Sequence, residues 1–120
     1  MPNRLDGYEL LLVEDEFLIL LDLQYAFEQE GAVVVTATTV EEGLEAARDS
    51  YAVAVLDVRL PDGEIYPVAD QLATLGVPLV FHSGHAQQEL LEEQFPGATA
   101  LSKPAPETML IEAVARQAAT

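Results

Sequence analysis

Apolar residues along the chain fall into short Val- and Leu-rich blocks, separated by longer stretches in which they recur at helical spacing. The blocks are apolar on consecutive rather than alternate residues, as a parallel sheet covered on both faces requires. The alternation predicts five strand–helix units. Strands are expected at about Tyr8–Val13, Ala32–Thr36, Val53–Asp57, Pro78–His82 and Thr99–Leu101. Helices are expected at about Glu16–Glu30, Thr39–Ser50, Ile65–Leu75, Ala86–Gln94 and Pro106–Ala118. Gly31 suits a helix C-terminal cap, Thr39 with Glu42 three residues on reads as a capping box, and Pro106 suits a first helical turn. The expected fold class is α/β, a doubly wound five-stranded parallel sheet of order 2-1-3-4-5.

Length and composition narrow the function classes. The 120 residues fit one domain, with a core over about residues 8–118 and neither a linker nor an output domain. The longest apolar run is too short to span a bilayer and the leading residues lack a signal-peptide stretch, so the expected location is cytoplasmic. Without cysteine there is no disulfide framework, thiolate metal site or cysteine nucleophile; a bound metal must take oxygen or His ligands, which favours hard cations. The formal charge of −16 repels phosphate backbones and anionic leaflets, so neither nucleic acid nor membrane is an expected partner. The same acidity serves solubility or steers a basic partner.

In a doubly wound sheet, function collects outside the carboxyl ends of the strands. The first strand ends in Glu14-Asp15-Glu16, the third in Asp57, the fourth in Ser83-Gly84 and the fifth in Ser102-Lys103-Pro104. Taken singly, each has a plain structural reading. Asp15 caps a helix and Glu16 favours its dipole, Asp57 and Ser83-Gly84 belong to turns, and Lys103 is a loop lysine. Taken together, with strands one and three adjacent, Glu14, Asp15 and Asp57 converge. Carboxylates that close raise one another's pKa unless a cation neutralises them, and an open all-oxygen cluster suits magnesium together with a phosphoryl ligand.

The segments Leu11-Leu12-Val13-Glu14-Asp15-Glu16, Val55-Leu56-Asp57-Val58-Arg59-Leu60-Pro61-Asp62-Gly63, Phe81-His82-Ser83-Gly84 and Leu101-Ser102-Lys103-Pro104 resemble, in order and spacing, the response-regulator receiver family of two-component signalling. The resemblance runs from about Glu9 to Ala118 and implies the flavodoxin-like (βα)5 receiver fold. It implies Asp57 as phosphoacceptor, and Mg2+ held by Glu14, Asp15, Asp57 and the backbone carbonyl of Arg59. It further implies Ser83 as the hydroxyl drawn toward the phosphoryl group, Lys103 as its ammonium partner, and a cis bond before Pro104. The implied donor is a phosphohistidine on a histidine kinase or histidine phosphotransferase protein. The implied output is altered binding of a downstream protein or a phosphate sink, from a monomer or weak homodimer. Such a protein is not an enzyme with an outside substrate; it catalyses only its own phosphorylation and dephosphorylation.

The sequence also departs from the family's pattern. The fifth-strand aromatic that reports phosphorylation is replaced by Ala100. Pro78 to His85 partly resembles the Pro-Phe-x-Phe-Ala-Thr-Gly-Tyr motif of single-domain, output-less receivers, which also lack that aromatic. His82 and His85 lack a third ligand for a metal, and His85 beside the site suits tuning of hydrolysis. The first helix opens Phe17-Leu18-Ile19-Leu20-Leu21, either a broad buried stripe or a docking surface beside the site. Competing readings are a non-phosphorylated pseudo-receiver scaffold, a receiver excised from a hybrid histidine kinase, and an aspartyl-phosphate phosphatase. The last expects a second Asp two residues after the nucleophile, where this chain has Arg59.

Overall fold

A computed structural model of the protein describes residues 4–84 and 88–119. The main sheet comprises β1 (Glu9–Val13), β2 (Val33–Ala37), β3 (Val53–Leu56), β6 (Leu79–Ser83) and β7 (Thr99–Ser102). All neighbours are parallel and the order is β2-β1-β3-β6-β7, the expected 2-1-3-4-5 counted over these five strands. Between β3 and β6 lies a hairpin the sequence did not suggest. It pairs β4 (Arg59–Leu60) with β5 (Gly63–Glu64) in antiparallel fashion around Pro61-Asp62.

Strand residues alternate between two buried layers, as the pleat dictates. Leu10, Leu12, Val53, Val55 and Val80 face α1 (Phe17–Gln29) and α5 (Glu107–Ala118), packing on Leu20, Phe27, Leu110 and Val114. Leu11, Val13, Ala54, Leu56, Leu79 and Phe81 face the opposite way, toward α2 (Val40–Ala46), α3 (Tyr66–Thr74) and α4 (Gln88–Gln94). Each such Leu, Val or Phe is worth roughly 1.5–3 kcal/mol when fully buried, so the two-sided core is what makes the central strands continuously apolar. Leu5, ahead of β1, joins the α1/α5 layer and is fully buried, tied down by its N–H to the Glu30 carbonyl.

Helix ends follow local chemistry, with some differences from the expected boundaries. Gly31 takes φ +94° just past α1, the positive-φ position a C-terminal cap needs. Thr39 caps α2 by accepting from the Glu42 N–H, but Glu42 does not return the bond to Thr39; its carboxylate accepts from the Thr38 N–H and hydroxyl. The amides of Val40 and Glu41 instead donate to Asp62, whose carboxyl is held below its ordinary pKa by the Val40 bond first. The hairpin thus pins the start of α2. That helix stops at Ala46, short of the expected Ser50, because Tyr51 Oη and Gln71 Nε2 donate to the carbonyls of Ala46 and Ala47. Pro106 is the residue just before α5 rather than within its first turn. The expected start of the fourth helix at Ala86 lies outside the described residues.

Candidate functional site

Parallel pairing of Val13 with Leu56 aligns the ends of β1 and β3, so the next residues, Glu14 and Asp57, emerge side by side. The Asp57 N–H still donates to the Val13 carbonyl, which fixes the acceptor's backbone to the sheet. On the other side Ser83 pairs with Ser102, and the Lys103 N–H donates to the Ser83 carbonyl. The Lys103–Pro104 bond is cis, as the family resemblance implied.

From that anchor the Lys103 side chain crosses the strand ends. Its Nζ lies 2.9 Å from Glu14 Oε1, 3.0 Å from Asp57 Oδ2 and 3.2 Å from Glu16 Oε1. The side chains of Glu14, Asp57 and Lys103 are only 2%, 8% and 11% exposed. Two buried carboxylates and the exposed one of Glu16 therefore face one ammonium, which leaves negative charge uncompensated. Burial, reinforced by the Asp57 charge, pushes Glu14 up to about 7 against the bonds it receives from Lys103 and the Glu16 N–H. Burial and the Asp57 charge likewise raise Asp15. Burial alone would lower the Lys103 pKa, yet its bonds to Glu14 and Asp57 prevail and raise it. Carboxylate oxygens of Glu14, Glu16 and Asp57 lie within 4.8 Å of one another, an all-oxygen donor set that fits a hard divalent cation.

Of the residues singled out in the sequence, Glu14, Asp57 and Lys103 meet directly. Asp15 is exposed, near enough to Asp57 for that charge to act on it. Ser83 is buried at the end of β6. Arg59 is exposed two residues beyond Asp57, its backbone paired with Glu64 in the hairpin. Glu16, read from the sequence as dipole chemistry, proves to be a third partner of Lys103; the acidic triplet at the end of β1 was the only hint. His82 is buried and, among the described residues, neither ring nitrogen has a hydrogen-bond partner. His85 lies outside the described residues. Leu20 belongs to the core, but Phe17, Leu18, Leu21 and Tyr25 stay exposed, so the opening of α1 serves both the core and an apolar outer stripe beside the site.

The missing aromatic also has a structural account. Ala100 is the register partner of Phe81, whose ring packs 5.4 Å from that of Phe95, so this layer carries its bulk on β6 and beyond α4 instead of on β7. The Ala100 N–H, on the sheet edge, is taken by Glu92 of α4. A cavity of about 750 Å3 opens near Val77, Phe95 and Gln117 and gathers none of the site's carboxylates. Charge chemistry therefore locates the site better than concavity does.

The profile of the family described as the response regulator receiver domain matches residues 10–115. The chain belongs to this family. It is 33% identical over 101 residues to the phyllosphere-induced regulator PhyR of Methylorubrum extorquens, across 80% of this chain and 38% of that protein. The chain thus spans well under half the length of that curated relative. Receiver proteins of solved structure superpose closely. One from Sinorhizobium medicae has a TM-score of 0.85 at 26% identity, covering 93% of this chain and 94% of that one. A CheY-like receiver from Methanospirillum hungatei scores 0.83 at 27% identity, covering 92% and 93%. The receiver domain of the sensor histidine kinase PA1611 of Pseudomonas aeruginosa, with a magnesium ion coordinated in its active-site cleft, scores 0.82 over 95% and 99%. At 23% identity, that likeness establishes the fold alone. No helix among the described residues is long and apolar enough to cross a membrane.

Proposed function

We propose that this receiver is a phosphoryl-accepting signalling module of the cytoplasm, in which Asp57 takes the group from a phosphohistidine of a histidine kinase or histidine phosphotransferase protein. The observation that carries the reading is the meeting of buried Asp57 and Glu14 with Lys103 at adjoining strand ends. An Asp57 oxygen forms the new P–O bond while the donor's P–N bond breaks. The imidazole departs with that bond's electron pair, neutral when its other nitrogen is protonated. Such a transition state asks the protein for alignment and for positive charge against the equatorial oxygens.

Lys103, bonded to Asp57, would supply one such charge, and the bond from its N–H to the Ser83 carbonyl ties together the ends of β6 and β7. After transfer, the phosphoryl oxygens recruit the Lys103 ammonium and the Ser83 hydroxyl. Glu14, Asp15 and Asp57, with the backbone carbonyl of Arg59, would hold Mg2+; when bound, that ion neutralises the carboxylates and the charge on the phosphoryl oxygens. The likeness to PhyR supports a regulatory role, and the ion in the PA1611 receiver supports the choice of metal. The exposed apolar residues of α1 form the surface on which the phosphohistidine donor docks. The module acts on no outside substrate beyond that donor; it catalyses its own phosphorylation and slow hydrolysis.

Intact-protein mass after incubation with acetyl phosphate or phosphoramidate and Mg2+ tests the reading. One added phosphoryl group is expected, lost in Asp57→Asn and in the presence of a chelator. No adduct on the native chain, with beryllofluoride also failing to bind, would replace phosphoryl transfer by a scaffold role.

A further inference from the structure

Lys103 has three N–H donors and three carboxylate partners, so its ammonium is fully committed in this state. The three partners are not equal. Glu14 is buried and cannot be left without its cation cheaply, whereas the Glu16 side chain is 60% exposed and water can replace the ammonium there. When Asp57 becomes an acyl phosphate and offers new acceptor oxygens, the contact that Lys103 gives up at least cost is the one to Glu16.

Glu16 is also the residue on which α1 begins. Its backbone is extended, its N–H donates to Glu14 Oε2, its carbonyl accepts the Leu20 N–H that opens the helical ladder, and its side chain caps no amide. What holds that carboxylate is Lys103, from the loop after β7. Phe17, Leu18 and Leu21 follow at once on the exposed stripe.

We propose that Glu16 is a positioning residue for Lys103, and that the Lys103–Glu16 pair is the contact surrendered on phosphorylation. Its release loosens the first turn of α1 and reports the state of Asp57 to the apolar surface beside it. The inference rests on the phosphoacceptor reading above. It gives a receiver with alanine at position 100 a readout that needs no aromatic rotation on β7.

Residue-resolved amide exchange, followed by NMR on the native chain, tests this with Mg2+ alone as reference and Mg2+ with beryllofluoride as the phosphoryl mimic. Bound fluoride is monitored separately by 19F resonance. In the native chain the Leu20 and Leu21 amides should exchange about two- to fivefold faster with the mimic, the range an ion pair at a partly exposed site is worth. In Glu16→Gln the faster exchange should be present before the mimic is added and should not increase with it. Glu16→Asp should restore part of the native response. A native chain that binds fluoride with unchanged Leu20 and Leu21 exchange would overturn the tether and leave the phosphoacceptor reading standing. Failure to bind fluoride at all would overturn both.

Discussion

Lys103 Nζ lies 2.9 Å from Glu14 Oε1, with the two side chains almost removed from water. A pair this buried is weak evidence for stability in itself, because desolvation offsets most of the attraction. Removing one partner is nevertheless costly, since the other charge is left behind. Lys103→Met should therefore destabilise the metal-free protein by about 3 kcal/mol. Mg2+ replaces the lost positive charge, so the rise in Tm on adding millimolar Mg2+ should be larger for Lys103→Met than for the native chain. Melting curves with and without Mg2+ decide this; equal Mg2+ shifts in the two proteins would refute it.

The carboxyl of Glu14 should set the pH range of cation binding. Burial raises its pKa from 4.5 to about 7 in the folded state, so the folded protein binds a proton there that the unfolded chain has already lost. Its contribution to stability is fully present below about pH 4.5 and is lost as pH rises through about 7. Metal binding runs the other way, because a hard cation needs the ionised form. Apparent Mg2+ affinity, measured by calorimetry, should fall several-fold between pH 8 and pH 6, and Glu14→Gln should bind weakly with most of that slope removed. A native affinity that is flat over this interval would show that Glu14 is ionised throughout.

Much of the frame was legible in the sequence because continuous apolar blocks have few alternatives to a covered parallel sheet. Glu14, Asp57 and Lys103 were legible because each closes a strand. Other features depend on contacts between distant segments. Two-residue strands such as Arg59–Leu60 are too short to show a period, so the hairpin read as a loop. The end of α2 is decided by Tyr51 and Gln71, side chains outside the helix. Glu16 gained its role only because Lys103, far along the chain, folds onto it. Ala100 showed that an aromatic was missing, but not that Phe81 and Phe95 occupy the layer it faces.

His82 alternates with Phe81 on β6 and so faces the α1/α5 side, opposite Leu101. Burial first, then the Lys103 charge, lower its pKa, against smaller opposing effects of Asp57 and Glu16. Both ring nitrogens lack partners among the described residues, a loss on the order of 1–3 kcal/mol for a buried polar group. Replacement by a β-branched apolar residue suits a central strand, so His82→Val should raise Tm at neutral pH. The advantage should grow in acid. Above pH 6.5 the imidazole is neutral in both states; below it the unfolded chain takes up the proton first, and the native protein loses stability that the variant keeps. Urea unfolding at pH 7.5 and pH 5.5 measures the difference between the two proteins, which also cancels the opposing slope of Glu14. A variant less stable at both values would mean that His82 has a partner in solution.

Gly43 stands where α2 crosses α3, and a Cβ there would lie 3.1 Å and 3.4 Å from the two methyl carbons of fully buried Val68. Two effects oppose each other. Alanine gains about 1 kcal/mol of helix propensity over glycine, while an extra methyl in a filled contact typically costs 1–3 kcal/mol. Val68 is hemmed in by the α2/α3 layer and cannot retreat freely, so Gly43→Ala should destabilise the protein overall. The same substitution made in a Val68→Ala background loses both close contacts, keeps only an ordinary one of 3.8 Å to a Val13 methyl carbon, and should stabilise it. The coupling between the two sites, read from a double-mutant cycle in urea, should fall in the range of about 0.5–3 kcal/mol expected for residues in contact. Additive effects would mean that the helices part to admit the methyl, which should also disturb the amides of Val40 and Glu41 and their bonds to Asp62.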